Sequence, residues 1–283
     1  MAELLKGAAV VAALNEKMMK EIEGLKSKGV APTLAILRVG ERPDDISYEK
    51  GATKRCETVG VQVKNVVLPA DVNQEVLMSN VEALNNDDSV HGVLIFRPLP
   101  RHLDEEAVRN ALKPEKDIDG ITDGSLAGVF TGNGRGFPPC TAQACMEILD
   151  FYGVNCTGKR AVVIGRSLVV GKPASIMLQQ RNATVTMCHT KTVDMPSVVR
   201  DAEIVIVAAG KAGAVTADYL SAGQTVVDVG INMNDEGKLC GDVKFDDAEP
   251  IVSAITPVPG GVGTVTTSVL VSHVVEAAKK YCN

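Results

Sequence analysis

A chain of 283 residues is long enough for two domains or one large one, and 45% hydrophobic with 23% charged residues is an ordinary globular composition. A net charge of −6, no Trp and only 3% aromatic residues argue against a nucleic-acid binder, which needs basic surface and stacking rings. No run reaches the ~18 apolar residues of a membrane span. The start, Met1 to Gly7, lacks a basic flank and a signal-like apolar run, and seven scattered cysteines without a Cys-x-x-Cys fit reduced thiols rather than a disulfide frame or zinc site. A cytoplasmic protein with no metal and no membrane contact is expected.

Residues 8–28 have helical spacing. Thr33–Val39 reads as a strand stopped by Gly40, and a helix then runs through Tyr48 to about Thr58 and ends at Gly60. Val61–Leu68 is a second strand, Asn73–Asn85 a helix, and Gly92–Phe96 a third strand closed by Pro98 and Pro100. Asp104–Leu112 is a helix with Asp104 as its cap. Thr141–Tyr152 reads as a linking helix. Strands are then expected at Lys159–Ile164, Ala183–Cys188, Ile204–Ala209 and Thr225–Val229, and a helix over Thr266–Tyr281. Strands separated by helices imply right-handed βαβ units on parallel sheets, so the fold class is α/β, with the second half in the rhythm of a Rossmann-type dinucleotide-binding domain.

Two glycine-rich segments stand apart. Gly165-Arg166-Ser167-Leu168-Val169-Val170-Gly171 follows a buried strand and opens a helix. Backbone N–H groups at such a start face an anion, although packing glycines in a plain turn give the same pattern. NAD-preferring folds place an acid near the end of the second strand. That position here is Cys188-His189-Thr190-Lys191-Thr192, which has none, while Arg166 and Lys191 supply positive charge for a 2′-phosphate. This favours NADP; NAD stays open, because Arg166 is equally well a surface residue. The other segment, Ile255-Thr256-Pro257-Val258-Pro259-Gly260-Gly261-Val262-Gly263, has two prolines and three glycines and only Thr256 as a polar residue. It is expected to be neither helix nor central strand but a ligand-facing loop.

These two segments, together with Lys116-Asp117-Ile118-Asp119-Gly120 and Phe137-Pro138-Pro139-Cys140-Thr141, resemble the methylenetetrahydrofolate dehydrogenase/cyclohydrolase family in the same order along nearly the whole chain. The resemblance implies a folate-binding catalytic domain from residues 1–140 and 266–283, with the C-terminal helix returning to it, and an NAD(P)-binding Rossmann domain from 141–265. It implies tetrahydrofolate derivatives as substrates, NADP or NAD as cofactor, and a homodimer. In the family a Tyr stacks on the folate, a Lys at i+4 works on the reacting carbon and water, a Gln tunes that Lys, and an Asp holds the pterin. Tyr48 and Asp119 match the Tyr and Asp as catalytic and substrate-binding residues. Phe96, Pro98, Leu99, Pro259, Gly260 and Gly261 fall at the other substrate-binding positions, and Gly165, Arg166, Ser167, Val170, Gly171, Thr190, Ala209, Gly210 and Ile231 at the cofactor positions. Thr190 stands where the family usually has Ser, Thr264-Val265 where it has Pro-Met, and His273 where it has Asn.

The departures that bear on chemistry are Ala52 at the Lys position and Phe96 at the Gln position. Lys50 and Lys54 sit ~200° and ~240° round the helix from Tyr48, at ~100° per residue, so neither shares its face. Arg97 should point away from Phe96 by strand alternation, unless the strand ends at Phe96. Hydride transfer needs positioning and no obligatory side-chain base, whereas hydrolysis of the methenyl product needs general acid–base help. The expected activity is therefore methylenetetrahydrofolate dehydrogenase with weak or absent cyclohydrolase. The alternatives are a bifunctional enzyme in which Lys50, Lys54 or Arg97 substitutes, and a non-catalytic nucleotide- or folate-binding regulator.

Overall fold

A computed structural model describes residues 1–282. The strands are β1 Glu3–Leu4, β2 Thr33–Val39, β3 Gln62–Leu68, β4 Gly92–Ile95, β5 Arg160–Ile164, β6 Thr184–Cys188, β7 Ile204–Val207, β8 Thr225–Asp228, β9 Asn232–Met233, β10 Leu239–Cys240 and β11 Ala254–Ile255. The helices are α1 Gly7–Lys26, α2 Pro43–Val59, α3 Gln74–Asn86, α4 Glu105–Ala111, α5 Asp123–Thr131, α6 Cys140–Phe151, α7 Gly171–Gln180, α8 Met195–Arg200, α9 Phe245–Ala248 and α10 Val262–Lys279. The chain divides into two compact units, one of residues 13–140 with 267–283 and one of residues 1–12 with 141–266.

The first unit holds a parallel sheet in the order β3-β2-β4. Every residue of central β2 is buried, as a strand covered on both faces requires, whereas edge strand β3 keeps part of its length exposed. Side-chain caps start α3, α4 and α5: Asn73 accepts the Val76 N–H, Asp104 the Ala107 N–H and Thr122 the Ser125 N–H. Gly60 ends α2 at φ +90°, a conformation that favours glycine. Strand β4 stops at Ile95, so Phe96 and Arg97 lie beyond it and the strand alternation expected for Arg97 does not apply.

The second unit holds a parallel six-stranded sheet in the order β1-β11-β8-β7-β5-β6. The chain leaves β5 for β6 on one side and returns to β7 on the other. The carboxyl ends of β5 and β7 therefore form a topological switch point, the place where open α/β sheets bind ligands. The expected placement of residues 1–12 in the first domain differs from the observed division, because β1 pairs with β11 through Glu3↔Ala254 and Leu4↔Ile255. A two-residue strand carries no periodic signal, which is why neither β1 nor β11 was legible. The proline–glycine segment is likewise not all loop: Ile255 lies inside the sheet between β1 and β8, and Val262 and Gly263 open α10. No described helix is long and apolar enough to cross a membrane.

Candidate active site

In the first unit a cavity of about 520 Å³ is lined by Arg42, Asp44, Asp45, Tyr48, Leu94, Ile95, Phe96, Arg97, Pro98 and Asp119. Helix α2 carries Tyr48 and is tied down at its start. Arg38, buried at the end of β2, pairs with Glu49 at 2.8 Å, and Arg42 grips Asp45 through two bonds of 2.8 and 2.7 Å. Arg42 also donates to the Arg97 carbonyl at 3.3 Å, linking the two cavity walls. Tyr48 is 44% exposed and meets the edge of Phe96 at 5.7 Å between ring centres. Burial of its hydroxyl, with the Asp119 charge nearby, pushes the Tyr48 phenol up to about 12, so it stays a neutral donor.

Asp119 sits on a loop held from both sides. Buried Asp117 accepts from the Ile121 and Thr122 N–H groups at 3.0 and 2.8 Å and from the Ser125 hydroxyl at 2.6 Å. The Ile118 carbonyl accepts from Cys140 Sγ at 3.2 Å and from His273 Nδ1 at 2.8 Å. His273 thus does what an amide side chain would do there, and burial keeps it neutral by lowering its pKa. Burial and the Asp117 charge push the Asp119 carboxyl up to about 6, against the opposing pull of Arg97 and of a bond from Cys140.

One turn beyond Tyr48, Ala52 is 1% exposed and ends the stripe with a methyl group. Lys50 and Lys54 are exposed and do not line the cavity. Arg97 does line it, but a guanidinium does not release its proton and cannot act as a base. Leu99 is not a lining residue: its N–H donates to Glu105 at 2.8 Å and its side chain packs on the core of this unit.

In the second unit the glycine loop sits at the switch point. Gly165, at φ +124°, donates its N–H to the Cys188 carbonyl at 2.9 Å, and a Cβ added to it would run into the Ala208 carbonyl. A Cβ on Gly171 would run into the Gly165 carbonyl. The loop is therefore bare backbone closed tightly on itself, with exposed Arg166 and Ser167 at its tip and the Ser167 hydroxyl accepting from the Val170 N–H at 3.1 Å. Such a cradle at the head of α7 fits a dinucleotide pyrophosphate. Thr190 and Lys191 are exposed in the turn after β6, closed by His189 N–H to Thr192 Oγ1 at 2.9 Å. The pairing of Ile164 with Cys188 sets this turn beside Arg166. Ala209 and Gly210 are exposed just past β7. A second cavity, of about 200 Å³, is lined by Ile231, Pro257, Pro259, Gly260, Gly261 and Thr264 among others, with Ile231 69% exposed. Pro259, Gly260 and Gly261 thus share a cavity with the residue assigned to the nicotinamide.

The residues that sequence reading missed are acids and their partners: Asp117, the Arg42–Asp45 pair, and buried Asp228 and Asp242. A buried acid neutralised by backbone N–H groups leaves no spacing pattern; the only signal is glycine flanking it, as Gly241 flanks Asp242. Among the described residues no group of His, Cys, Asp and Glu side chains is placed to hold a metal ion.

The family model for the catalytic domain of tetrahydrofolate dehydrogenase/cyclohydrolase matches residues 5–119, and that for its NAD(P)-binding domain matches residues 139–282. The chain is 50% identical over 281 residues to the bifunctional protein FolD of Carboxydothermus hydrogenoformans, covering 99% of this chain and 98% of that one. Among solved structures it resembles the bifunctional FolD dehydrogenase/cyclohydrolase of Campylobacter jejuni (38% identity, TM-score 0.95, 99% of this chain and 100% of that one). It also resembles the Trypanosoma brucei FolD enzyme solved with NADP and an inhibitor (36% identity, TM-score 0.90, 99% and 98%). The chain belongs to the tetrahydrofolate dehydrogenase/cyclohydrolase family and carries that family's NAD(P)-binding domain.

Proposed function

We propose that the protein oxidises 5,10-methylenetetrahydrofolate to 5,10-methenyltetrahydrofolate, with NADP⁺ preferred over NAD⁺, and that it hydrolyses the methenyl product weakly or not at all. Residues 13–140 with 267–283 hold the folate, and the glycine loop and Ile231 hold the nucleotide. The observation that carries the second half is the makeup of the 520 Å³ cavity: no Lys or His lines it among the described residues, buried Ala52 stands one helical turn beyond Tyr48, and Phe96 stands at the position of the family's Gln.

In the dehydrogenase step a C–H bond of the bridging methylene breaks, its electron pair leaves as hydride, and a folate nitrogen lone pair forms the C=N bond of the product. The bound nicotinamide supplies the hydride acceptor. Nothing in this step takes a proton to or from a side chain. Tyr48 lies against the folate ring as a neutral phenol, and Asp119 holds the pterin through its carboxylate. Such positioning is most of what catalysis requires here. The hydrolytic step differs, since water attacks the methenyl carbon and a proton must be accepted.

The bifunctional reading is favoured by Asp119, a carboxyl lining the same cavity that burial and the Asp117 charge push up to about 6, which makes it a candidate base. The names of the relatives above point the same way. Purified protein given methylenetetrahydrofolate and NADP⁺ is expected to form reduced nucleotide and methenyltetrahydrofolate in equal amounts. Binding of both ligands with no absorbance change would instead make it a regulator. Arg166→Ala is expected to raise the KM for NADP⁺ by about tenfold while changing that for NAD⁺ less than twofold, as loss of a single charge-assisted contact does. Equal effects on the two nucleotides would remove Arg166 from 2′-phosphate recognition. The homodimer implied by the family resemblance belongs to the same reading and predicts a sedimenting mass twice the 29.8 kDa of the chain.

A further inference from the structure

Two buried acids at the carboxyl edge of the larger sheet take no part in the chemistry above. Asp228 ends β8 and Asp242 follows β10, and both are buried. Asp242 Oδ2 accepts the Gly210 N–H at 2.9 Å, and its Oδ1 accepts the Lys211 N–H and the Asn232 side-chain amide, each at 2.9 Å. Asp228 Oδ1 accepts the N–H groups of Gly230 and Asp242 at 2.9 and 3.0 Å, and its Oδ2 that of Val243 at 2.9 Å. The Asp228 N–H in turn donates to the Thr256 hydroxyl at 2.7 Å, tying this node to the turn of the proline–glycine segment.

The fit is close. A Cβ on Gly230 would fall on Asp242, and a Cβ on Gly241 would fall on the Asp228 carboxylate. Burying a carboxylate is costly unless its lone pairs are filled, and a neutral hydroxyl or amide suffices to close one turn. A carboxylate is needed where several donors from different segments must meet on one group. Asp242 joins two such segments: Gly210–Lys211 just past β7, and Asn232, next to the exposed Ile231 just past β8. Both follow the carboxyl ends of parallel strands, and each holds residues read above as nucleotide-facing.

The geometry points to Asp242 as a positioning residue for the nucleotide, locking the Ala209–Gly210 and Ile231 loops to each other, with Asp228 holding the Asp242 backbone in place. This rests on the nucleotide reading of those loops. In Asp242→Asn the amide offers one acceptor and an NH₂ group, so whichever way it turns an N–H faces the Gly210 N–H or the Lys211 N–H. Asn232→Ala removes one bond from a half-buried side chain and leaves the carboxylate intact.

The test is calorimetric titration of NADP⁺ and NAD⁺ into wild type, Asp242→Asn and Asn232→Ala, with the folate KM at saturating nucleotide and the melting temperature measured beside it. Asp242→Asn is expected to weaken nucleotide binding by about tenfold or more and Asn232→Ala by about threefold. The folate KM stays within twofold in both. A purely structural role would lower the melting temperature and the active fraction but leave the nucleotide Kd of the folded protein unchanged. That result, or a Kd within twofold of wild type in Asn232→Ala should Asp242→Asn fail to fold, overturns the inference. Wild-type protein that binds neither nucleotide would overturn the nucleotide reading itself, before any variant is compared.

Discussion

Replacing Ala52 by Lys and Phe96 by Gln in one variant is expected to raise methenyltetrahydrofolate hydrolysis by about 10²- to 10⁴-fold, the usual worth of a positioned acid–base group. Position 52 lies one turn beyond Tyr48 on the same face of α2 and is 1% exposed. A lysine entering there is desolvated, which moves its pKa down towards neutrality and makes it able to accept a proton at physiological pH. Phe96 stands on the Tyr48 side of this region: its ring lies 5.7 Å from the ring of Tyr48 and is itself buried. Glutamine at 96 clears volume and supplies an amide to hold the new ammonium group. The two changes act as a unit, so each alone gives under about a tenth of the combined gain. Dehydrogenase turnover, which uses neither group, stays within a few-fold. A double variant that melts like the parent yet hydrolyses no faster would show that the missing pair is not what limits hydrolysis.

Asp119→Asn is expected to raise the KM for methylenetetrahydrofolate by about 10- to 100-fold at pH 7.5, the worth of hydrogen bonds to a charged acceptor. It should also abolish a pH dependence. The carboxyl titrates at about 6, raised by burial and by the Asp117 charge, so in the parent the folate-binding carboxylate is lost as pH falls below 6 and KM climbs. The variant has no such climb. Stability runs the other way. A carboxyl whose folded pKa lies above its unfolded value of 3.8 is favoured in its protonated form by the fold, so its contribution is full below about 3.8 and is lost as pH rises to 6. Asp119→Asn should therefore melt no lower than the parent at neutral pH while binding folate worse. A variant that loses stability and retains folate affinity would make Asp119 a structural acid.

Most of the sheet framework was legible because its main strands are runs of four to seven residues rich in Val, Ile, Leu and Thr, set between helical segments. Thr33–Val39 coincides with β2, and Gly60 and Asp104 mark helix ends as their chemistry dictates. The two-residue strands β1 and β11 were not legible, and with them went the placement of residues 1–12 in the larger unit. The glycine loop was read from residues whose Cβ atoms would collide with Ala208 and Gly165, a constraint only glycine meets. For Arg97 the sequence left two orientations open, and the end of β4 at Ile95 decides for the one in which it lines the cavity. Asp228 and Asp242 stayed hidden because the fold gathers backbone N–H donors for them from distant segments, and Asp117 because its partners are two N–H groups and a hydroxyl within the next eight residues, which leave no periodic pattern.

Methenyltetrahydrofolate is followed after a limiting amount of NADP⁺ has been consumed by the purified protein. Decay at the rate of buffer alone is the result predicted from Ala52 and Phe96. Decay that scales with protein concentration, above the buffer rate, would contradict it and transfer the proton-accepting role to a group already in the cavity, with Asp119 the first to test.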